Sequence, residues 1–487
     1  MNDLIANGLI VCALISGGLS AVNSSMLYRS AMAPAVLDSD STDSLLGSVR
    51  QSDKSSRDAS GKLLPMPAAE HLRRGNVYLA NRVFDNAREH FLALIKEAPH
   101  DERIPTALFG VARSFFLAGD YQQASPFFDR VAREYPATKE GRDGLSYFAA
   151  SLLRSGLADR AATQYIEYTQ KYPSGDRLDS SYLNIIDAYR EAGQISPALE
   201  WIDRTRTRFV GTVTESNALF ARLRLDVSEN DWSHAIATIT AIRAGHMQSG
   251  VQTSQDELSY LRAYSLEHQG HTAEAIAAYS LIPDSLSSYY GRLATGKIRS
   301  LGGSTSVASV ASRRGRVEQQ IRSAASQYPA PYREKILIEA NRRGVDPRLV
   351  LSIMRQESGF RPWIKSPAAA RGLLQLTIDT ALKYSDDAGF RNLADADLYR
   401  ADASIAIGTC ALSDLQHKFP GSPEAVAAAY NGGDDNVMRW TKRMKQKDPG
   451  VFAAEIGFSE TKDYVFKVMA NYRAYTELYT RDLRRSS

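Results

Sequence analysis

The residues best suited to chemistry lie at the end of one short helix. Asp346-Pro347 opens it, since Asp can cap and Pro at the first helical position gives up no hydrogen bond. Leu349, Val350, Ile353 and Met354 then fall on one face. Glu357, four residues after Ile353 and three after Met354, continues that face before Ser358-Gly359 breaks the helix. A carboxylate there either turns to solvent at a frayed end or serves as a functional acid, and spacing alone favours neither. The second reading has a definite chemistry. An acid that protonates a poor leaving-group oxygen, as in glycosidic cleavage, must keep its proton near neutral pH. Glu starts at about 4.3, and reaching about 6 or 7 costs roughly 2–4 kcal/mol of lost solvation of the charged form. Apolar neighbours such as Met354 can supply that.

Other chemistries are poorly served. After residue 300 the only histidine is His417, which disfavours a zinc hydrolase or a Ser/His/Asp site in the C-terminal third. Cys12 and Cys410 are the only cysteines, too few for a disulfide framework or a thiolate metal site. No cofactor and no metal are expected. A net charge of +4 over 487 residues is small and selects no partner by itself, and no nucleic-acid partner is expected.

These residues need elements to hold them, and 487 residues exceed what one core usually supports. The apolar run Gly8 to Ile15 has the length of a secretory h-region and is too short to span a bilayer. Its flank offers Asp3 and no Lys or Arg, so a helical or disordered N-terminus on a cytosolic protein is the alternative. Residues 1–22 are read as signal peptide or anchor. Residues 23–66, rich in Ser, Asp, Ala and Lys, are read as a disordered linker.

From 67 to 300 the chain repeats. Ala87, Ala124, Ala161, Ala198 and Ala235 recur every 37 residues, and Ala275 follows 40 later. Arg82, Gly119, Gly156, Gly193, Asn230 and Gly270 each stand five positions before one of these alanines, and Pro99, Pro136 and Pro173 keep the same phase. The pattern implies a helix pair per unit: a Gly or Asn turn, a small Ala where helices approach, and Pro ending a helix. It resembles the tetratricopeptide class of α-solenoid. Residues 301–327, with Gly, Ser, Arg313, Arg314 and Arg316, read as a flexible linker with solvated charge and few contacts across it. Residues 328–487 form the last unit.

Four ordered motifs give that unit a family resemblance. Arg355-Gln356-Glu357-Ser358-Gly359-Phe360, Ser366 to Gln375, Ala429-Tyr430-Asn431-Gly432-Gly433 and Glu460-Thr461-Lys462-Asp463-Tyr464-Val465 resemble those of the soluble lytic murein transglycosylases. Tyr328-Pro329 through Tyr332-Arg333 and Ser288 to Ala294 are similar to the larger members. The resemblance implies an all-α protein, a helical-repeat solenoid followed by a goose-lysozyme-like catalytic domain. It implies cleavage of the bond between N-acetylmuramic acid and N-acetylglucosamine in peptidoglycan glycan strands, with 1,6-anhydro ends and Glu357 as acid then base. Ser358, Gln375, Tyr430, Asn431, Glu460 and Tyr464 would bind substrate. It further implies export to the periplasm or envelope, with or without membrane retention, and envelope protein partners for the solenoid.

Plainer roles stand beside these: Ser358 capping a helix end, Gln375 as a buried hydrogen-bonding partner, Tyr464 heading a core set with Tyr472, Tyr475 and Tyr479. The chain departs from the family pattern at Leu374 (usually Met), Ala369 (usually Gly), Gly432 (usually Ala) and Thr377-Ile378 (usually Met-Pro). The alternatives are a hydrolytic muramidase and a non-catalytic envelope scaffold.

Overall fold

The repeat marks translate into helix pairs. In a computed structural model describing residues 39–245 and 248–486, Ala68–Ala80 pairs with Phe84–Glu97, Ile104–Ala118 with Tyr121–Glu134, and Lys139–Arg154 with Ala158–Lys171. Leu178–Glu191 with Ile195–Arg208, Val213–Ser228 with Trp232–Ala244, and Gln255–His268 with Thr272–Ser280 continue the series. All six phase-marking alanines are fully buried, at 0% exposure. The residue five before each has a left-handed backbone, with φ of 62° at Arg82, 90° at Gly119, 79° at Gly156, 72° at Gly193, 61° at Asn230 and 82° at Gly270. That conformation ends one helix and reverses the chain into the next, which is why Gly and Asn recur there. The architecture is all-α, and the described residues hold isolated β-bridges but no sheet. The proposed signal segment 1–22 lies outside the described residues.

Two stretches read as linkers are helices. Ser39–Ser55 places Leu46, Val49 and Asp53 against the first repeat, at 2%, 1% and 3% exposure. Val307–Ser323 buries Val310, Arg313, Val317 and Ile321, a stripe at helical spacing that its polar composition obscures. Arg313 is no solvated charge. Its Nε donates to Thr295 Oγ1 at 2.8 Å and its Nη2 to the Ile282 carbonyl at 2.6 Å.

The solenoid also embraces the C-terminal unit. A continuous core runs from Phe220 through Val317 and Met354 to Leu483, so the last repeats and the C-terminal helices share their apolar interior. Tyr289 stacks on Phe466 with ring centroids 4.6 Å apart. Buried ion pairs cross the seam: Arg190 with Glu455 at 2.5 Å, Lys462 with Glu257 at 3.0 Å. Few contacts were expected here because the sequence pattern shows each helix's apolar face but not its partner.

Candidate active site

The helix Pro347–Ser358 forms as its spacing implies. Asp346 accepts from the Arg348 amide at 2.9 Å, and Gly359 closes the other end at φ 56°. Leu349, Val350, Ile353 and Met354 are buried, at 2% exposure or less. Glu357 is half-buried on the same face. It is neither flung into water nor sealed in the core, which is what a proton donor to an incoming ligand requires.

The C-terminal helix Ser459–Leu478 packs on this one and grips both its ends. Tyr464 donates to Glu357 Oε1 at 2.8 Å, and Tyr472 donates to Asp346 Oδ2 at 3.0 Å. Between them Asn471 Oδ1 accepts from Arg355 Nε at 3.2 Å. The tyrosines read as one set divide their work. Tyr475 and Tyr479 donate to the carbonyls of Pro329 and Tyr328, at 2.9 and 2.7 Å, fastening the start of the unit to its last helix.

A chain of contacts then links the remaining candidates. Thr461, less than a turn before Tyr464, donates to Asn431 Oδ1 at 2.7 Å. Tyr430 donates to the Leu374 carbonyl at 2.6 Å, beside Gln375. Gln375 Nε2 donates to the carbonyls of Gly372 at 2.9 Å and Ile364 at 3.1 Å, with its own backbone at φ 46°. Glu460 is half-buried in the first turn of the C-terminal helix. Asn471 gave no sequence signal, and Thr461 in the closing motif and Tyr472 in the tyrosine set carried no assigned role, because each works through a partner distant in the chain.

Ser358 does not line the cleft. Its hydroxyl donates to the Met354 carbonyl at 3.2 Å and accepts from the Phe360 amide at 3.1 Å, and its 1% exposure leaves no surface for a sugar. Gln375 and Asn431, each 5% exposed, are engaged by hydrogen bonds within the protein. Ala369 sits at φ 59°, where glycine carries no Cβ penalty. Thr377 still begins the helix Ile378–Tyr384 from an extended backbone, so the loss of Met-Pro leaves the helix start in place.

Residues 334–452 match the transglycosylase SLT domain family, and residues 72–137 match a tetratricopeptide repeat family. The SLT match is the one that bears on the candidate site. It spans the helix ending in Glu357, the Gln375 loop and Tyr430, and the C-terminal helix with Tyr464 lies just beyond it. The soluble lytic murein transglycosylase of Salmonella typhimurium is 31% identical over 153 residues, 31% of this chain and 23% of that protein. The membrane-bound lytic murein transglycosylase C of Edwardsiella ictaluri is 31% identical over 166 residues, 29% of this chain and 46% of that one. The matched stretch thus spans about a quarter of the soluble relative and under half of the membrane-bound one. An inactive mutant of lytic transglycosylase Slt from Pseudomonas aeruginosa aligns over 84% of this chain and 78% of its own, at 19% identity and a TM-score of 0.48.

Proposed function

We propose that this chain is a lytic transglycosylase that cleaves peptidoglycan glycan strands between N-acetylmuramic acid and N-acetylglucosamine. The observation that carries the reading is the half-buried Glu357 at the end of an apolar helix face, its Oε1 hydrogen-bonded by Tyr464. The Glu357 carboxyl carries the transferable proton. The proton goes to the glycosidic oxygen, the C1–O bond breaks, and the N-acetylglucosamine leaves with a C4 hydroxyl. The carboxylate then takes the proton of the muramic C6 hydroxyl as O6 bonds to C1. The ring closes, no water is consumed, and Glu357 is protonated again.

Internal attack is favoured because the nucleophile is tethered and loses little entropy on reacting. Hydrolysis would need a second carboxylate, at roughly 5–5.5 Å for retention or roughly 6.5–9.5 Å for inversion. Between Glu357 and Asp379 the chain has no Asp or Glu, and Asp379 is paired with Arg82 Nε at 2.6 Å. Glu460 is assigned to the cleft wall. Gln375, Tyr430, Asn431 and Tyr464 are assigned to the cleft, and Ser358 to the helix end beneath it. The apolar run Gly8 to Ile15 supports export to the envelope, and the repeats support a scaffold that also receives envelope proteins.

Mass spectrometry of products from purified sacculi tests the reaction. Ends lighter by one water than reducing muramic acid are expected, and only reducing ends would make the protein a hydrolytic muramidase with Glu460 as a catalytic candidate. Glu357→Gln keeps the shape, removes the transferable proton and should reduce cleavage by orders of magnitude with helical circular dichroism unchanged. Unaltered turnover would refute the assignment of Glu357.

A further inference from the structure

The helix Ser39–Ser55 reaches across the chain to the loop that presents Gln375. Its Asp43 accepts three hydrogen bonds there: from Lys365 Nζ at 2.7 Å, Arg371 Nη2 at 2.8 Å and Tyr399 OH at 2.6 Å. Lys365 and Arg371 face each other across an isolated bridge, and Arg371 bridges again to Leu376 through N–H···O bonds of 2.9 and 3.0 Å. The carboxylate therefore spans both sides of the turn 365–371, and Arg371 also opens the next turn, 371–376, which holds Gln375. Arg371 is fully buried at 0% exposure, and its other carboxylate neighbour, Asp395, stands at 3.8 Å and is itself engaged by Arg50 of the same helix.

The far end of the helix is anchored separately. Asp53 accepts from Arg74 at 2.6 Å, from Tyr78 at 2.6 Å and from His90 Nε2 at 3.0 Å, all on the first repeat. Asn81 of that repeat also accepts from Lys365, at 2.9 Å. One helix thus joins the first repeat to the cleft loop, fixed by a different aspartate at each end.

We propose that Asp43 is a positioning residue for glycan cleavage: from a helix outside the SLT domain, it holds the loop 364–376 in the conformation that sets Gln375 and the Leu374 carbonyl at the cleft. This rests on the proposed transglycosylase reading. A buried guanidinium deprived of its carboxylate draws water or swings outward, and either movement opens the Lys365–Arg371 bridge. The effect belongs to the loop and not to the helix ending in Glu357, whose ends are held by Tyr464 and Tyr472.

The test uses the full chain with Asp43→Asn, which preserves size and removes charge. Amide hydrogen exchange should rise at least tenfold in 364–376 and stay unchanged in 347–358. Unchanged exchange in the loop overturns the proposal whether or not the protein cleaves glycan. Against sacculi, KM should rise several-fold more than kcat falls, with the melting midpoint within about 2 °C of the parent, and Asp43→Glu should restore part of the loss. Wild-type kinetics, or a loss that follows the melting midpoint alone, overturns it as well. Should Asp43→Asn not fold, Tyr399→Phe removes one donor and should raise loop exchange to a lesser degree; no rise is again disproof. A parent protein inert toward every glycan refutes the transglycosylase reading and leaves the exchange result standing.

Discussion

At the scale of single residues, the backbone of the Gln375 loop decides more than side-chain chemistry. Ala369 occupies φ 59° and Gln375 φ 46°, both left-handed, and Gly372 at φ 77° has no room for a Cβ, which would lie 1.9 Å from the Leu398 carbonyl. A non-glycine residue there costs roughly 1–2 kcal/mol, partly offset by the freedom that glycine adds to the unfolded chain. Ala369→Gly should therefore stabilise the protein by up to about 1 kcal/mol. Chemical denaturation checks this, and a lower midpoint would show that the site tolerates alanine without strain. Ser358 teaches the converse. A hydroxyl beside the catalytic candidate is spent wholly on the helix end.

At the scale of elements, the decisive pairing is that of Pro347–Ser358 with Ser459–Leu478, helices about 100 residues apart in sequence. The Tyr464 hydroxyl donates to Glu357, and donation to a carboxylate favours its charged form. Tyr464→Phe removes that preference. Under the proposed mechanism, in which Glu357 starts the reaction protonated, the high-pH limb of the activity profile should then move to higher pH. Turnover at the optimum should fall about tenfold to a hundredfold through lost orientation. A limb that stays in place would mean that Tyr464 does not act on the titrating group.

At the scale of the whole molecule, solenoid and SLT domain are not separable beads. Read as a linker, the stretch 301–327 implies that a fragment 320–487 folds alone, with a flexible joint before it. The shared core predicts otherwise, since cutting there bares Phe466 and its neighbours, which Tyr289 and Tyr290 cover. That fragment should bind a hydrophobic dye and melt about 10 °C or more below the full chain. Equal melting would restore the bead picture.

A second whole-molecule effect concerns acid. His71 Nδ1 lies 3.1 Å from His90 Nδ1, both rings are fully buried, and His90 Nε2 faces Asp53. Burial first, then the adjacent His90, hold the His71 pKa below its usual value of about 6.5, against an opposing pull from Glu97 at 3.4 Å; Arg74 adds a smaller push downward. With the folded pKa depressed, the histidine contribution is complete above about 6.5 and declines as pH falls toward the folded value. Asp53 is also held low: burial raises it, and the bonds from Tyr78, His90 and Arg74 prevail, so it adds loss only in stronger acid. Hydrogen exchange in 43–56, corrected for intrinsic rate, should rise between pH 7.5 and 5. His71→Asn should flatten that rise; an unchanged slope would exclude the histidine pair as its source.

The sequence by itself determined the repeat and the helix that ends in Glu357. Left-handed turns, small alanines at helix crossings and an apolar stripe ending in Glu357 are local requirements, written at fixed spacing and legible without a partner. The four motifs also placed Gln375, Tyr430, Asn431 and Tyr464 in one region, though not which group each would touch. Only the tertiary structure decided what surrounds the site. Asp43 and Arg313 look like surface charge in polar stretches, and Arg371 and Lys462 stand in motifs that name no partner for them; each is satisfied by a group dozens to hundreds of positions away. Side-chain periodicity reports which face of a helix is buried; it carries no information on which distant chain buries it, and that is settled only when the solenoid closes on the domain it precedes.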